Sequence, residues 1–397
     1  MQDIRLTRTL TVVMAIATGL IVANLYYLQP LVQNVTVDFR VSKTAAASVV
    51  TCLQLGYAFG LLFIVPLGDM LRRRRLIVAL FIGAALAMAT GAFVSSFLVF
   101  AVVSILIGVV SVGAQVMVPF AADLARPDQR GRIVARLMTG LLTGILLSRT
   151  LSGLVAQQSG WRAVYWIAAA AMAGMALILR FVLPAEPRRS SSSYRHLLKG
   201  TFHLFMTLPE LRRRSWLGAV CFAAFGLMWT TLSFKLSAPP FQYNSGLIGM
   251  FGLLGVAGVV AANGAGSLAD ANKTRGASLA AASMIVVAFV ILGIGKSSIV
   301  AVIIGVIVLD IGVQGMQITN QSIIYGLAPE SRSRINSAYM FCYFIGGAVG
   351  SMSGGIAYTH GGWNAVCIVG MIYGIAAIVP AVWHHQNTQA KLRKRND

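Results

Sequence analysis

Acidic side chains are scarce in this chain: eleven Asp and Glu stand among 397 residues, and charged residues of both signs make up only 11%. An ordinary soluble domain carries about a quarter charged residues, so a water-covered globule is excluded. Cysteine is equally sparse. Cys52, Cys221, Cys342 and Cys367 stand singly inside apolar runs, without the spacing of a zinc or redox site. The five histidines fall in loops and tails. There is no His-Glu metal pair, nucleophile elbow or glycine-rich phosphate loop, so an enzyme is not expected and no metal or cofactor is called for. Ten-residue segments of alternating polarity are missing too, which argues against a membrane barrel. No cleavable leader is expected, because the first apolar run is span-length and lacks a small-residue cleavage site.

Apolar sequence fills the chain instead, 57% hydrophobic with a mean hydropathy of +0.78. Crossing a bilayer takes ~20 apolar residues. Runs of that size lie at 10–32, 45–68, 76–95, 98–121, 133–156, 162–183, 215–237, 247–269, 276–295, 299–325, 335–358 and 363–383. Lipid offers no partner to a backbone amide, so each run is expected to be a helix. The predicted fold is all-α and membrane-integral, with twelve transmembrane helices in two pseudo-symmetric six-helix bundles.

The formal charge of +21 invites a nucleic-acid reading, but its distribution opposes one. With these spans, 26 of the 32 Lys and Arg fall on one side, and Arg40, Lys43, Arg162, Lys235 and Lys296 on the other. The positive-inside rule then puts both termini in the cytoplasm. Short loops suggest a bacterial inner membrane.

Pro127-x-x-Arg130-x-Arg132-Ile133 returns 202 residues later as Pro329-x-x-Arg332-x-Arg334-Ile335. The same offset carries Gly144 onto Gly346 and Gly160-Trp161 onto Gly362-Trp363. Internal repeats with a binding site at their interface are a feature of secondary transporters. The expected organisation is a bundle over 1–183, a cytoplasmic linker over 184–214 with a short amphipathic helix, and a second bundle over 215–397. Small residues four apart, Gly140, Gly144, Ser148 and Ser152, with Gly346, Gly350 and Gly354, mark packing faces.

The loop Leu67-Gly68-Asp69-Met70-Leu71-Arg72-Arg73-Arg74 resembles the loop pattern G-x-L-a-D-r-x-G-r-k of the major facilitator superfamily. Asp69 and the basic run fit, whereas Val65 and Arg72 stand where the pattern has glycine. Gly266-Ser267-Leu268-Ala269-Asp270, followed by Lys273 and Arg275, is a better second copy. The segment Ala23-Asn24-Leu25-Tyr26-Tyr27-Leu28-Gln29-Pro30 resembles the arabinose-efflux-permease-like branch of the twelve-span drug:proton antiporters. The resemblance covers essentially the whole chain. It implies gating positions at Asp69, Arg72, Arg73, Asp123, Arg130, Asp270, Arg275 and Arg332. Two positions depart from the antiporter pattern: Ser104 replaces a fourth-span arginine, and Arg149-Thr150 replaces a Gly-Pro.

Inside the spans, charge is almost absent. Asp310 is the one deeply placed acid and Arg149 the one deeply placed base. Each costs ~2.5–3.5 kcal/mol on insertion scales, so each needs a partner or water. Gln314, Gln317 and Gln321 follow Asp310 within ~60° of one helix face, which reads as a wet cavity wall, flanked by Asn320. Interhelical hydrogen bonding is the alternative. Arg149 sits ~120° from the small-residue face and is expected to point away from the tightest packing. A substrate contact, a salt bridge and a state-dependent pairing with Asp310 all remain open for it. The resemblance makes Asn24, Tyr27, Gln115 and Trp229 further cavity candidates.

The expected function is proton-coupled export of small amphipathic or sugar-like compounds by alternating access, with Asp310 and Arg149 in the coupling. The partners are a small-molecule substrate, protons and the bilayer, with the chain acting as a monomer and no nucleic acid involved. An uptake symporter or facilitator is the rival within transport. A transport-inactive membrane sensor or scaffold is the rival outside it.

Overall fold

The computed structural model describes residues 7–126, 128–184, 194–256, 274–328 and 331–396, with the backbone alone given for 196, 275 and 381–396. Among them every regular element is helical. The α-helices are α1 (Arg8–Ala23), α2 (Val32–Asp38), α3 (Lys43–Phe63), α4 (Arg73–Phe93), α5 (Phe97–Val110), α6 (Gly113–Leu124) and α7 (Arg130–Ser159). They continue with α8 (Trp161–Val182), α9 (Tyr194–Thr207), α10 (Pro209–Ser237), α11 (Ser245–Met250), α12 (Thr274–Ile294), α13 (Ile299–Leu327) and α14 (Arg332–Asn396).

Small polar residues start several of them by accepting a hydrogen bond from a first-turn amide that has no helical partner. Thr7 does so for Leu10, Ser42 for Ala45, Asn244 for Leu247 and Ser298 for Ala301. Nine helices among the described residues are long and apolar enough to cross a membrane, by length and composition. One, Arg332–Pro380, is bent at Gly362, and two shorter apolar helices, Arg8–Ala23 and Ser245–Leu254, overlap the predicted first and eighth spans. The rest of the predicted span 247–269 lies outside the described residues.

Two predicted spans are interrupted. The run 10–32 leaves helical form after Ala23, turns through 24–28 and resumes as a short 3-10 turn, Gln29–Leu31. Pro30 keeps a straight helix from resuming there, since it has no amide hydrogen for the Tyr26 carbonyl and its ring clashes with that turn. The run 98–121 is broken between α5 and α6. There Ser111 Oγ–H donates back to the Ile107 carbonyl at 2.6 Å, a contact that bends helices.

The chain forms two compact units: residues 1–202 with 232–253, and residues 203–231 with 254–397. In the first, α1 and α7 cross closely. A Cβ on Gly140 would meet the Ala15 carbonyl, and one on Gly144 the Gly19 backbone. In the second, the same face recurs: Gly346 and Gly350 lie on the main chain of Ala219 and Ala223 in α10. The sequence repeat also has a backbone counterpart. Gly160 and Gly362, 202 residues apart, both take positive φ (79° and 59°) and each precedes a buried tryptophan, Trp161 and Trp363. Only glycine enters that region without strain.

Candidate transport site

The second unit holds the intramembrane acid. Gly305 and Gly312 of α13 pack on α12, against Leu292 and the Ala281 carbonyl. Two residues from Gly312 is ~200° of rotation, which turns Asp310 to the far side of α13. There Trp229 of α10 donates its indole N–H to Asp310 Oδ1 at 3.3 Å. Both side chains are buried, 3% exposed each. Phe225 extends the aromatic surface one turn away, its ring 6.0 Å from that of Trp229.

The amides that follow Asp310 divide into two pairs. Gln317 and Asn320 are engaged in a hydrogen-bonded chain. Tyr339 Oη–H donates to Gln317 Oε1 at 2.6 Å, and Asn320 Nδ2 donates to the same Tyr339 oxygen at 3.4 Å. Asn320 Oδ1 accepts from the Arg214 guanidinium at 3.4 Å. Arg214 also donates to Ser278 at 2.9 Å and, through Nε, to Glu210 at 2.7 Å. Gln314 and Gln321 are half-buried and make no hydrogen bond among the described residues. For Gln317 and Asn320 the geometry is that of interhelical bonding, which ties α10, α12, α13 and α14 together.

The first unit holds the intramembrane base. Arg149 of α7 is 2% exposed; its Nε donates to Gln29 Oε1 at 2.7 Å and its guanidinium carbon lies 5.0 Å from the centre of the Tyr26 ring. The expectation that it points away from the tightest packing does not hold. Gly249 sits against its carbonyl and Gly252 against its Cβ, so the glycine face of the segment after Asn244 seats directly on it. The small-residue stripe of α7 therefore serves α1, while a second close contact forms around Arg149 and Gly153.

Asn24 and Tyr27 follow the last residue of α1, in a turn whose amides at Leu25, Tyr26 and Tyr27 still bond back to Val22 and Ala23. Asn24 is buried and directs Nδ2 to Ser111 Oγ at 3.5 Å and Met172 Sδ at 3.6 Å. Tyr27 lines a largely apolar groove of about 490 Å³ between α1 and α7, together with Thr139, Thr143 and Ser148, with Arg136 also on its wall. Gln115 Nε2 donates to Tyr57 Oη at 3.3 Å. Ser104, fully buried, returns its hydroxyl proton to the Phe100 carbonyl of its own helix.

At the loop after α3, one arginine does the binding. Arg73 reaches Asp69 at 3.3 Å, Asp123 at 2.7 Å and the Gly68 carbonyl at 3.0 Å. Its side chain is 6% exposed, whereas Arg72 and Arg130 are exposed. Arg332 donates to the Tyr325 carbonyl at 3.2 Å. Asp270 and the side chain of Arg275 lie outside the described residues.

Sequence reasoning misses Glu210, Arg214, Ser278 and Tyr339. By sequence, Glu210 and Arg214 fall in the cytoplasmic linker, where Arg214 counts as topological charge. One signal is available: Glu210 and Arg214 are spaced i,i+4 at a helix start, with the acid first, the orientation that favours pairing.

Long apolar helices, a buried carboxylate in one unit and a buried guanidinium in the other are the features of a membrane transporter. The family model described as Major Facilitator Superfamily matches residues 14–351, and the chain belongs to that family. "Uncharacterized transporter YgaY" of Escherichia coli O157:H7 is 45% identical over 95% of both chains. "Probable transporter SCO4007" of Streptomyces coelicolor is 31% identical over 89% of this chain and 83% of its own. Among solved structures, the nucleoside transporter NupG superposes with a TM-score of 0.72 at 14% identity, covering 96% of this chain and 98% of that one. A bacterial homolog of the human lysosomal transporter Spinster, in an inward-facing and unoccupied conformation, gives 0.71 at 14% identity, covering 94% of each chain. At such identities the likeness shows the fold.

Proposed function

We propose that the chain is a proton-coupled secondary transporter that exports small amphipathic or sugar-like compounds by alternating access in a bacterial inner membrane. The observation that carries this reading is Asp310, a carboxyl group deep in α13 and hydrogen-bonded to the Trp229 indole. A membrane helix keeps such a group at substantial cost, and the usual return is an ion or substrate path. Protonation removes the charge and its desolvation cost; ionisation creates a seat for a cationic group or water. Trp229 offers a donor to the carboxylate and a flat apolar face to a substrate. Competition between proton and substrate for this place yields exchange. Gln314 and Gln321 are the amides of the same helix face that supply substrate contacts, while Arg149, held by Gln29 and stacked on Tyr26, serves as a gate element.

The test is flux in proteoliposomes with an imposed pH gradient. Wild-type protein should accumulate or expel substrate according to the gradient, and Asp310→Asn should transport without responding to it. Gradient dependence of wild-type size in Asp310→Asn removes Asp310 as the carrier. A second reading, uptake or facilitated passage, is favoured by Ser104, whose hydroxyl is spent on its own helix where the antiporter pattern has an arginine. The direction of accumulation under one gradient separates the two.

A further inference from the structure

We infer that the basic ends of α4 and α8 form a binding site for the phosphate headgroup of an anionic phospholipid in the cytoplasmic leaflet. Arg72, Arg74 and Arg75 at the start of α4 and Arg180 at the end of α8 line a single groove of about 340 Å³. Its remaining wall is Val78, Ala79 and Ile82. Arg74 donates to the main-chain carbonyl of Arg180, which ties the two helix ends together and gathers the basic groups around one space. No carboxylate lines the groove among the described residues. Arg73, the buried member of the run, is engaged with Asp69 and Asp123 and takes no part in it.

Topology asks only that basic residues lie on this side of the membrane. It does not ask four arginines to line one groove, where their like charges repel until an anion enters. Basic pockets between helices at the cytoplasmic surface are where anionic headgroups are held. The apolar wall decides between a lipid and a free phosphate. Ile82 of the groove is followed one turn on by Leu86, and Leu177, Ile178 and Phe181 of α8 are also exposed. An acyl chain lies along such a surface while its phosphate meets the guanidinium forks, which bind phosphate in bidentate fashion. Free phosphate leaves that surface unused. The cytoplasmic side is the one given by the positive-inside orientation, and nothing here depends on Asp310 or on transport.

The experiment uses full-length protein stripped of lipid in detergent, titrated with phosphatidylglycerol, phosphatidylcholine or inorganic phosphate. Binding is followed by native mass spectrometry and thermal shift. Phosphatidylglycerol should stay bound and raise the melting temperature, and the other two should do neither. Arg75→Gln with Arg180→Gln should weaken phosphatidylglycerol binding about fivefold for each charge removed. Arg195→Gln with Lys199→Gln, an equal charge loss on α9, should leave it unchanged. Equal weakening by both pairs means diffuse surface charge and overturns the site. Stabilisation by inorganic phosphate equal to that by the lipid overturns the lipid assignment. If the first pair fails to fold, Arg75→Ala alone decides: a loss of about fivefold supports the site, and wild-type affinity in folded protein removes it.

Discussion

Trp229 and Asp310 meet across α10 and α13 through one hydrogen bond, indole nitrogen to carboxyl oxygen, at 3.3 Å and in a buried setting. The indole donates only, so it supports the carboxyl in either protonation state without taking its proton. Trp229→Phe keeps a ring and deletes the donor. The expected stability loss is small, ~0.5–2 kcal/mol for a bond between membrane helices. The expected functional effect is larger: the pH at half-maximal flux should move, while Phe225→Leu, a neighbour without a donor, should leave it in place. A pH profile of transport in proteoliposomes reads both, and identical shifts in the two variants would assign the effect to packing.

Some of this arrangement is visible in the amino-acid order and some is not, for physical reasons. Span-length apolar runs and the paired Gly-Trp sites are local or periodic, and the backbone turns at Gly160 and Gly362 alike. Asp310 stands out because charge in an apolar run is costly wherever its helix docks. Partner choice is another matter. Periodicity places Gln317 and Asn320 on a face of α13 but not Tyr339 or Arg214 opposite them, since that depends on which helices pack and at what depth. Arg149 departs from its expected orientation for the same reason: its own helix shows one small-residue stripe, and the glycines that cover it belong to residues 249–252 of another segment. Pro30 stands beyond the end of straight helix at Ala23, and the apolar run continues past both and masks the break.

Arg149 and Gln29 form a buried charge-to-amide bond of 2.7 Å. Arg149→Lys keeps the charge but loses both the planar fork and its stacking on Tyr26, so it is not conservative here. Gln29→Leu removes the acceptor and should cost on the order of 1–3 kcal/mol. Combining Gln29→Leu with Arg149→Met should cost less than the separate losses added, by at least ~0.5 kcal/mol, as contacting groups couple. Melting temperatures of the four proteins in one detergent give the coupling, and strict additivity would mean that the bond contributes nothing.

Gly144 and Gly174 make opposite demands. A Cβ at Gly144 runs into the Gly19 backbone of α1, whereas one at Gly174 meets nothing within 4 Å. Gly144→Ala must therefore push α1 and α7 apart, and overpacking of this kind costs about 1–3 kcal/mol or more. Gly174→Ala should be neutral or slightly stabilising, within ~1 kcal/mol, from helix propensity alone. Gly350→Ala, seated on the Ala223 backbone, should behave like Gly144→Ala if the repeated sequence reflects repeated packing. Yield of monodisperse protein and thermal melting separate the three, and equal tolerance at Gly144 and Gly174 would contradict the close crossing.

Tyr339 is the link between the clasp of Arg214 and the face of α13 that carries Asp310. Its hydroxyl donates to Gln317 at 2.6 Å and accepts from Asn320 at 3.4 Å, and Asn320 in turn accepts from Arg214. Tyr339→Phe retains the ring, whose centre lies 6.0 Å from that of Tyr343, and removes only the oxygen. Gln317 and Asn320 then lose a partner in a buried setting, at ~0.5–2 kcal/mol between membrane helices. Arg214→Gln acts at the other end and leaves the Glu210 carboxylate with Arg213 as its remaining ion-pair partner among the described residues. Because both changes break one connected chain, their effects on melting should be less than additive. Arg195→Gln on α9, which is no member of this hydrogen-bonded chain, should add to Tyr339→Phe without coupling. Additivity in both pairs would mean that the four-helix tie is a set of separate contacts, and that Gln317 is free to face substrate after all.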